Sequence, residues 1–247
     1  MGLRSHAVLR WIVTRAAEDC GPIVNALRGA GLTCEAVPCL ERTATAWAPW
    51  PPAAPGLLQV CLVTSQATAA LLAGPHRPPA HVQLAAVAPQ TSQALRDAGL
   101  TPAVEATGGV EALAEAVARW AQGRKLTVHY PTSDAGLDAP EQQAAVRHLE
   151  RLGPVTRFAA YATTAPEGLA AALAARGPGC GVVFFSPSAV EHFAAAAPPT
   201  PRLVLCHGES TLRAWRERRA PQWPDAVLRD RTQPIEAAVL ALEKSLP

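Results

Sequence analysis

Along this chain, short apolar runs alternate with amphipathic or small-residue stretches, and a turn former usually separates one from the next. Val8–Val13 is mostly apolar, broken only by Arg10, and leads through Thr14-Arg15 into a helical pattern from about Glu18 to Gly29. Gly29-Ala30-Gly31 ends that pattern, and Thr33–Leu40 reads as the next strand. Thr43–Pro55 holds six prolines and tryptophans among thirteen residues and reads as a loop or linker. The rhythm then resumes. It predicts strands at Val60–Val63, His81–Val87 and Ala103–Glu105, and helices from Ser65 to Ala73, over Ser92–Ala98 and over Val110–Gln122. Further on, strands are predicted at Leu126–Tyr130 (with Pro131–Gly136 a loop), Val155–Ala162, Val182–Phe185, Arg202–Cys206 and Ala226–Leu228. Helices are predicted at Pro140–Leu152, Ala165–Arg176, from Ala189, at Leu212–Arg219 and at Pro234–Ser245, with Pro234 as first helical residue. Strand followed by helix, repeated about eight times, predicts an α/β fold with parallel sheets.

Two stretches carry the same device. Val60–Leu72 (VCLVTSQATAALL) and Gly181–Phe193 (GVVFFSPSAVEHF) each run from an apolar strand into hydroxyl residues and then a helix. Such a junction presents free backbone N–H groups and the positive helix end to an anion. The halves align elsewhere too. Val13-Thr14-Arg15 matches Tyr130-Pro131-Thr132, Gly31 matches Gly153, and Ser65 matches Ser186. Ala88–Thr91 matches Gly208–Thr211, and Val110–Leu113 matches Ile235–Ala238. The offsets run from 117 to 125 residues in unbroken order. A duplicated α/β unit is the expectation.

Composition narrows the class. Apolar residues make up 49% and charged residues 17%, which describes a globular chain. A net charge of +2, without a basic stripe, gives no footing for a nucleic-acid partner. No apolar run reaches membrane-spanning length, no signal-peptide cleavage pattern stands at the start, and Gly2 lacks the hydroxyl at position 6 that myristoylation wants. The six cysteines show no metal-finger spacing and read as buried thiols of a reducing, cytoplasmic compartment. His129, His148 and His192 share no ligand spacing, so no metal is expected. The flanking glycines of a serine nucleophile elbow are missing as well.

In their order, the signatures resemble those of the uroporphyrinogen-III synthase family over nearly the whole chain. They are V-T-R at 13–15, T-S at 64–65, and the V-x-P-x-T run ending at Thr91. A tyrosine in Y-x-T-x-x-P context follows (Tyr161, Thr163, Pro166), then F-x-S-P-S-A-V at 184–190 and G-x-S-T at 208–211. The resemblance implies two flavodoxin-like domains, 1–40 with 166–247 and 43–160, joined by linkers near Pro38–Thr43 and Ala160–Pro166, with a cleft between them. It implies conversion of hydroxymethylbilane, a linear tetrapyrrole polycarboxylate, into uroporphyrinogen III. The terminal hydroxyl leaves as water and ring D inverts, with no metal or organic cofactor. The expected partner is this small-molecule substrate, with no nucleic acid and no membrane, and a monomer is expected.

On this resemblance Tyr161 is the residue assisting water loss, since a neutral phenol suits a donor and not a base; the other reading is a half-buried strand tyrosine. Thr14, Arg15, Ser65, Gln66, Thr91, Ser186, Pro187, Ser188, Gly208, Ser210 and Thr211 are the expected substrate contacts. Simple helix capping is an alternative role for the hydroxyls, and a solvated surface position for Arg15. For His207 the readings are titration or a substrate contact and, more common for a lone histidine, a structural role. Four departures from the family pattern stand out: Ala88 for glycine, Glu209 for proline, no arginine in Pro131–Asp134, and the proline- and tryptophan-rich stretch after residue 43. A non-catalytic two-domain binding protein on the same scaffold is the alternative function.

Overall fold

The computed structural model describes residues 9–138, 140–230 and 232–245, leaving Gly2 and the expected strand start at Val8 outside the described residues. The chain forms two compact units, residues 1–42 with 163–247 and residues 43–162. In chain order the first unit opens with β1 (Arg10–Val13), α1 (Ala17–Gly29) and β2 (Thr33–Ala36). The chain leaves that unit along β3 (Glu41–Ala44). The second unit continues with β4 (Leu58–Val63), α2 (Gln66–Ala73), β5 (Val82–Val87), α3 (Gln90–Asp97), β6 (Val104–Ala106) and α4 (Val110–Ala121). It ends with β7 (Leu126–Ser133), α5 (Pro140–Glu150) and β8 (Val155–Thr164). Back in the first unit come α6 (Leu169–Ala174), β9 (Gly181–Phe184), α7 (Pro187–Ala195), β10 (Leu203–Cys206), α8 (Glu209–Arg218), β11 (Ala226–Leu228) and α9 (Ile235–Lys244).

In the first unit the strands lie in the order β11-β10-β9-β1-β2, with every neighbouring pair parallel. Counted within the unit this is the doubly wound order 2-1-3-4-5. The second unit's sheet runs β3-β8-β7-β4-β5-β6. Counting from β7, the strands β8-β7-β4-β5-β6 repeat the same order, and their ladders are parallel. The chain simply enters the second unit at its third strand. Ser65 after β4 and Ser186 after β9 therefore hold equivalent places, as the sequence offsets predict.

Both faces of each sheet are covered, so the central strands are apolar on both sides. Val60, Cys61, Leu62 and Val63 are all fully buried. In the first unit one face packs Phe184, Phe193, Trp215 and Trp223 into an aromatic cluster, the two tryptophan rings stacked 5.3 Å apart. Gly181 has no room for a side chain, because a Cβ there would stand 2.6 Å from the Trp11 ring.

Several elements differ from the sequence expectation. Pro131 lies inside β7, not in a loop: the ladder to β4 ends at His129, and beyond it β7 pairs only with β8. A missing N–H on the open side then costs no ladder bond. The helix expected at Ala165–Arg176 shrinks to α6, because Gly168 before it holds φ 74°, outside helical space. α8 begins at Glu209 and not Leu212, since Gly208 provides the extended residue that caps it. Pro234 caps α9 from outside with ψ 150° and is not its first residue.

The stretch from Thr43 to Pro55 is no free loop. It begins in β3 and then lays two tryptophans on the second unit's core beside Leu72 and Leu84. Trp47 stacks on His76 at 4.3 Å, and its indole N–H donates to the Ala160 carbonyl. Trp50 meets His129 edge-on at 5.4 Å and donates to the His76 carbonyl. Indoles that bury a large apolar body and still satisfy their N–H make a strap as specific as a helix would be.

Candidate functional site

In open parallel sheets, ligands meet the carboxyl ends of the strands where the winding reverses. In the second unit that point lies between β7 and β4, and Ser65 stands directly after β4. Its backbone is extended (φ −140°, ψ 151°), and its Oγ accepts the Thr68 N–H at 3.1 Å, capping α2. Thr68 Oγ1 lies 3.0 Å from the same oxygen, and Thr68 is fully buried.

Tyr161 reaches this serine from 96 residues further along the chain, its Oη 3.3 Å from Ser65 Oγ. A register shift in the β7–β8 ladder brings it there: Thr132 pairs with Ala159, but Ser133 pairs with Tyr161. Ala160 is the extra residue, and its carbonyl is taken by the Thr45 N–H and the Trp47 indole. The strap thus pins the bulge that presents the phenol. Gln66 is exposed in the first turn of α2. The turn after β7 has no arginine of its own, but Arg157 on β8 donates to the carbonyls of Gly136 and Leu137 there.

In the first unit the equivalent corner lies between β1 and β9. Ser186 is extended (φ −149°, ψ 153°) and its Oγ accepts the Ala189 N–H at 3.3 Å, with Pro187 as first residue of α7 and Ser188 half-buried behind it. Arg15 lies with its guanidinium 5.2 Å from the Phe185 ring centroid and bonds Asp19 at 3.0 Å. Asp19 also accepts from Arg42 at 2.6 Å. Burial alone would raise the Asp19 carboxyl, but the bond and charge of Arg42, with Arg15 behind them, hold it below its usual value. Gly208 caps α8, Ser210 is half-buried in its first turn, and Glu209 is exposed beside it, where a carboxylate favours the helix dipole.

Three expected contacts face inward. Thr14 is fully buried and its hydroxyl donates to the Val183 carbonyl at 2.8 Å, tying β1 to β9. Thr91 and Thr211 are buried in the first turns of α3 and α8. All three side chains are thus buried within the first unit's and second unit's own packing, and the Thr14 hydroxyl proton is engaged by the Val183 carbonyl. The residues brought together are Ser65 with Tyr161 in one unit, and Arg15, Ser186, Ser188, Gly208 and Ser210 along three adjacent strand ends in the other.

The sequence did not single out Thr68, Phe185 or Arg229. Arg229 Nη1 lies 2.7 Å from His207 Nδ1; a guanidinium can only donate, so that nitrogen accepts and the ring proton sits on Nε2. Position was the available signal, because Arg229 directly follows β11 as Thr14-Arg15 follows β1. Among the described residues no three His, Cys, Asp or Glu side chains lie close enough to hold a metal. All six cysteines are free and buried, and burial pushes Cys39 and Cys206 up to about 12. No helix of the described residues is long and apolar enough to cross a membrane.

No curated protein matches the chain in sequence. Two solved structures of similar fold are a mutant uroporphyrinogen III synthase of Thermus thermophilus and the uroporphyrinogen-III synthetase of Helicobacter pylori. The first has a TM-score of 0.54 at 16% identity, over 96% of this chain and 98% of that one. The second has a TM-score of 0.60 at 15% identity, over 96% of this chain and all of that one. At such identities the likeness is one of fold. The sequence evidence is separate: the family model described as uroporphyrinogen-III synthase HemD matches residues 21–223, a span that holds Ser65, Tyr161 and Ser186. With most of its length matched, the chain belongs to the uroporphyrinogen-III synthase family.

Proposed function

We propose that this protein converts hydroxymethylbilane into uroporphyrinogen III, expelling the terminal hydroxyl as water and inverting ring D, without metal or organic cofactor. The observation that carries the reading is a phenol, Tyr161, held beside the capped start of α2 within the family-matched span. The substrate is flexible and its hydroxyl leaves readily, so catalysis consists mainly in folding it correctly before it closes without inversion. Tyr161 donates its proton to the departing oxygen. The N–H groups of Ser65, Gln66, Ser186 and Ser188, the Ser188 and Ser210 hydroxyls, the Gly208 N–H and Arg15 hold carboxylates. The protein acts as a monomer in the cytoplasm.

The test is a coupled assay. Hydroxymethylbilane is generated in place from porphobilinogen, the protein is added, and the oxidised uroporphyrin isomers are separated by chromatography. Isomer III above the protein-free control is the expected result. Isomer I alone from folded protein removes the synthase reading and leaves a binding role for the scaffold.

A further inference from the structure

Among the described residues Ser65 Oγ has three polar neighbours: the Thr68 N–H at 3.1 Å, Thr68 Oγ1 at 3.0 Å and Tyr161 Oη at 3.3 Å. A serine hydroxyl has one proton and two lone pairs, so these three neighbours fill its capacity. The Thr68 N–H takes one lone pair, leaving one lone pair and the proton for the two hydroxyl oxygens. Two arrangements satisfy this. In one, Tyr161 donates to Ser65, which donates to Thr68. In the other, Thr68 donates to Ser65, which donates to Tyr161 and leaves the phenol proton pointing elsewhere. The two differ only in the rotation of three O–H bonds, and no heavy atom moves.

We propose that Ser65 is a positioning residue that acts through Tyr161 and does not hold a substrate carboxylate with its hydroxyl. The inference rests on the synthase reading above. Before substrate arrives, the phenol proton is parked on Ser65. When the terminal hydroxyl of the substrate comes within reach, the three hydroxyls turn and the phenol proton points at it. The carbon–oxygen bond then breaks with its electron pair on oxygen, the phenol proton joins that oxygen, and water leaves. The pyrrole nitrogen's electrons form the exocyclic double bond. Negative charge grows on Tyr161 Oη, directly facing the Ser65 O–H, and a hydrogen bond to a charged oxygen is stronger than one to a neutral oxygen. Ser65 is itself anchored to a free N–H at the positive end of α2, so part of that end's field reaches the phenol. The proton shed by the ring carbon when the pyrrole regains aromaticity restores Tyr161. Ser65 transfers no proton in the net reaction.

The experiment has a kinetic arm and a spectroscopic arm. In the isomer-resolved assay Ser65→Ala lowers kcat about 10-fold with KM within twofold, and Ser65→Thr, which keeps the hydroxyl and the cap, restores most of it. Tyr161→Phe lowers kcat about 100-fold, and the double variant falls no further than twofold below that. A KM rise at constant kcat, or a double variant that loses the product of both factors, overturns the proposal. The chain has only two tyrosines, so ¹³Cζ-tyrosine labelling yields two resonances, with Tyr161 assigned through Tyr161→Phe. Ser65→Ala shifts the Tyr161 resonance and Ser186→Ala does not. An unmoved resonance overturns the contact even if turnover is absent, whereas wild-type protein that makes no isomer III sinks the function and leaves this arm readable.

Discussion

Ser65 and Ser186 occupy the same place in their units, after the strand where the winding reverses and before the helix each caps. Their backbones nearly coincide, at φ −140°, ψ 151° and φ −149°, ψ 153°, and each accepts the N–H three residues on. What reaches them differs. The register shift in β8 delivers a phenol to Ser65, while the ends of β1 and β9 place a guanidinium over Phe185 next to Ser186. The duplication kept the backbone device and left the side chains from neighbouring strands free to diverge. On the proposed reading, one corner does proton chemistry and the other grips.

The sharpest way to break this division is to remove the phenol. Tyr161→Phe lowers kcat for isomer III by about 100-fold, the low end for a lost acid, because the hydroxyl leaves readily unaided. Stability is little changed. A drop confined to KM, measured in the isomer-resolved assay, would move Tyr161 from chemistry to binding and dissolve the contrast.

Next in size is the grip of the other corner. Arg15→Ala raises KM about 10-fold with kcat nearly constant, as expected for losing one charged hydrogen bond to a carboxylate. Asp19 keeps Arg42 as a partner, so the fold survives the change. An equal fall in kcat would show that the first unit also acts in the chemical step.

Smaller still is the shared device. Ser186→Ala removes a helix cap and costs about 1 kcal/mol, or about 3 °C in melting temperature. Ser65→Ala removes the same cap and also takes a partner from the hydroxyl of the fully buried Thr68, so it costs more. Calorimetry should find the larger melting loss for Ser65→Ala. Equal losses would mean that the Thr68 hydroxyl finds another partner and that the two corners differ only in turnover.

Both serine corners were legible in the sequence because their signal is local: an apolar run, a hydroxyl, then small helical residues. The partnership of Ser65 with Tyr161 was not, since it depends on the lateral order β8-β7-β4 and on one bulged residue. Nor was the inward aim of Thr211. Ser210 and Thr211 are neighbours in one helical turn, and about 100° of rotation sends one toward solvent and the other into the core. The tryptophan strap read as linker because proline and alanine surround it. Its order comes from tertiary contacts with His76, His129 and Ala160, which lie far away in sequence.

That strap supplies the smallest expected difference between the units, a matter of pH. Burial under Trp50 holds the His129 imidazole below its usual value of 6.5, because charging it there would forfeit hydration. Above about 6.5 His129 is neutral in both folded and unfolded chains and exerts no pull. Below it the unfolded chain takes up a proton that the folded one refuses, so stability is lost as pH falls from 6.5 toward the folded value. Asp19, which anchors Arg15 and Arg42 in the first unit, also loses stability as pH falls, but in a more acid window. Its lowered value keeps its contribution intact above 3.8 and releases it only as pH falls through the folded value. Mild acid should therefore loosen the second unit, through His129, before it touches the Asp19 cluster. Melting curves between pH 8 and pH 5 should decline more steeply for the wild type than for His129→Phe, which fills the same space without titrating. Parallel curves would place the acid-sensitive group outside the strap, and the corner that holds Tyr161 would owe none of its pH tolerance to His129.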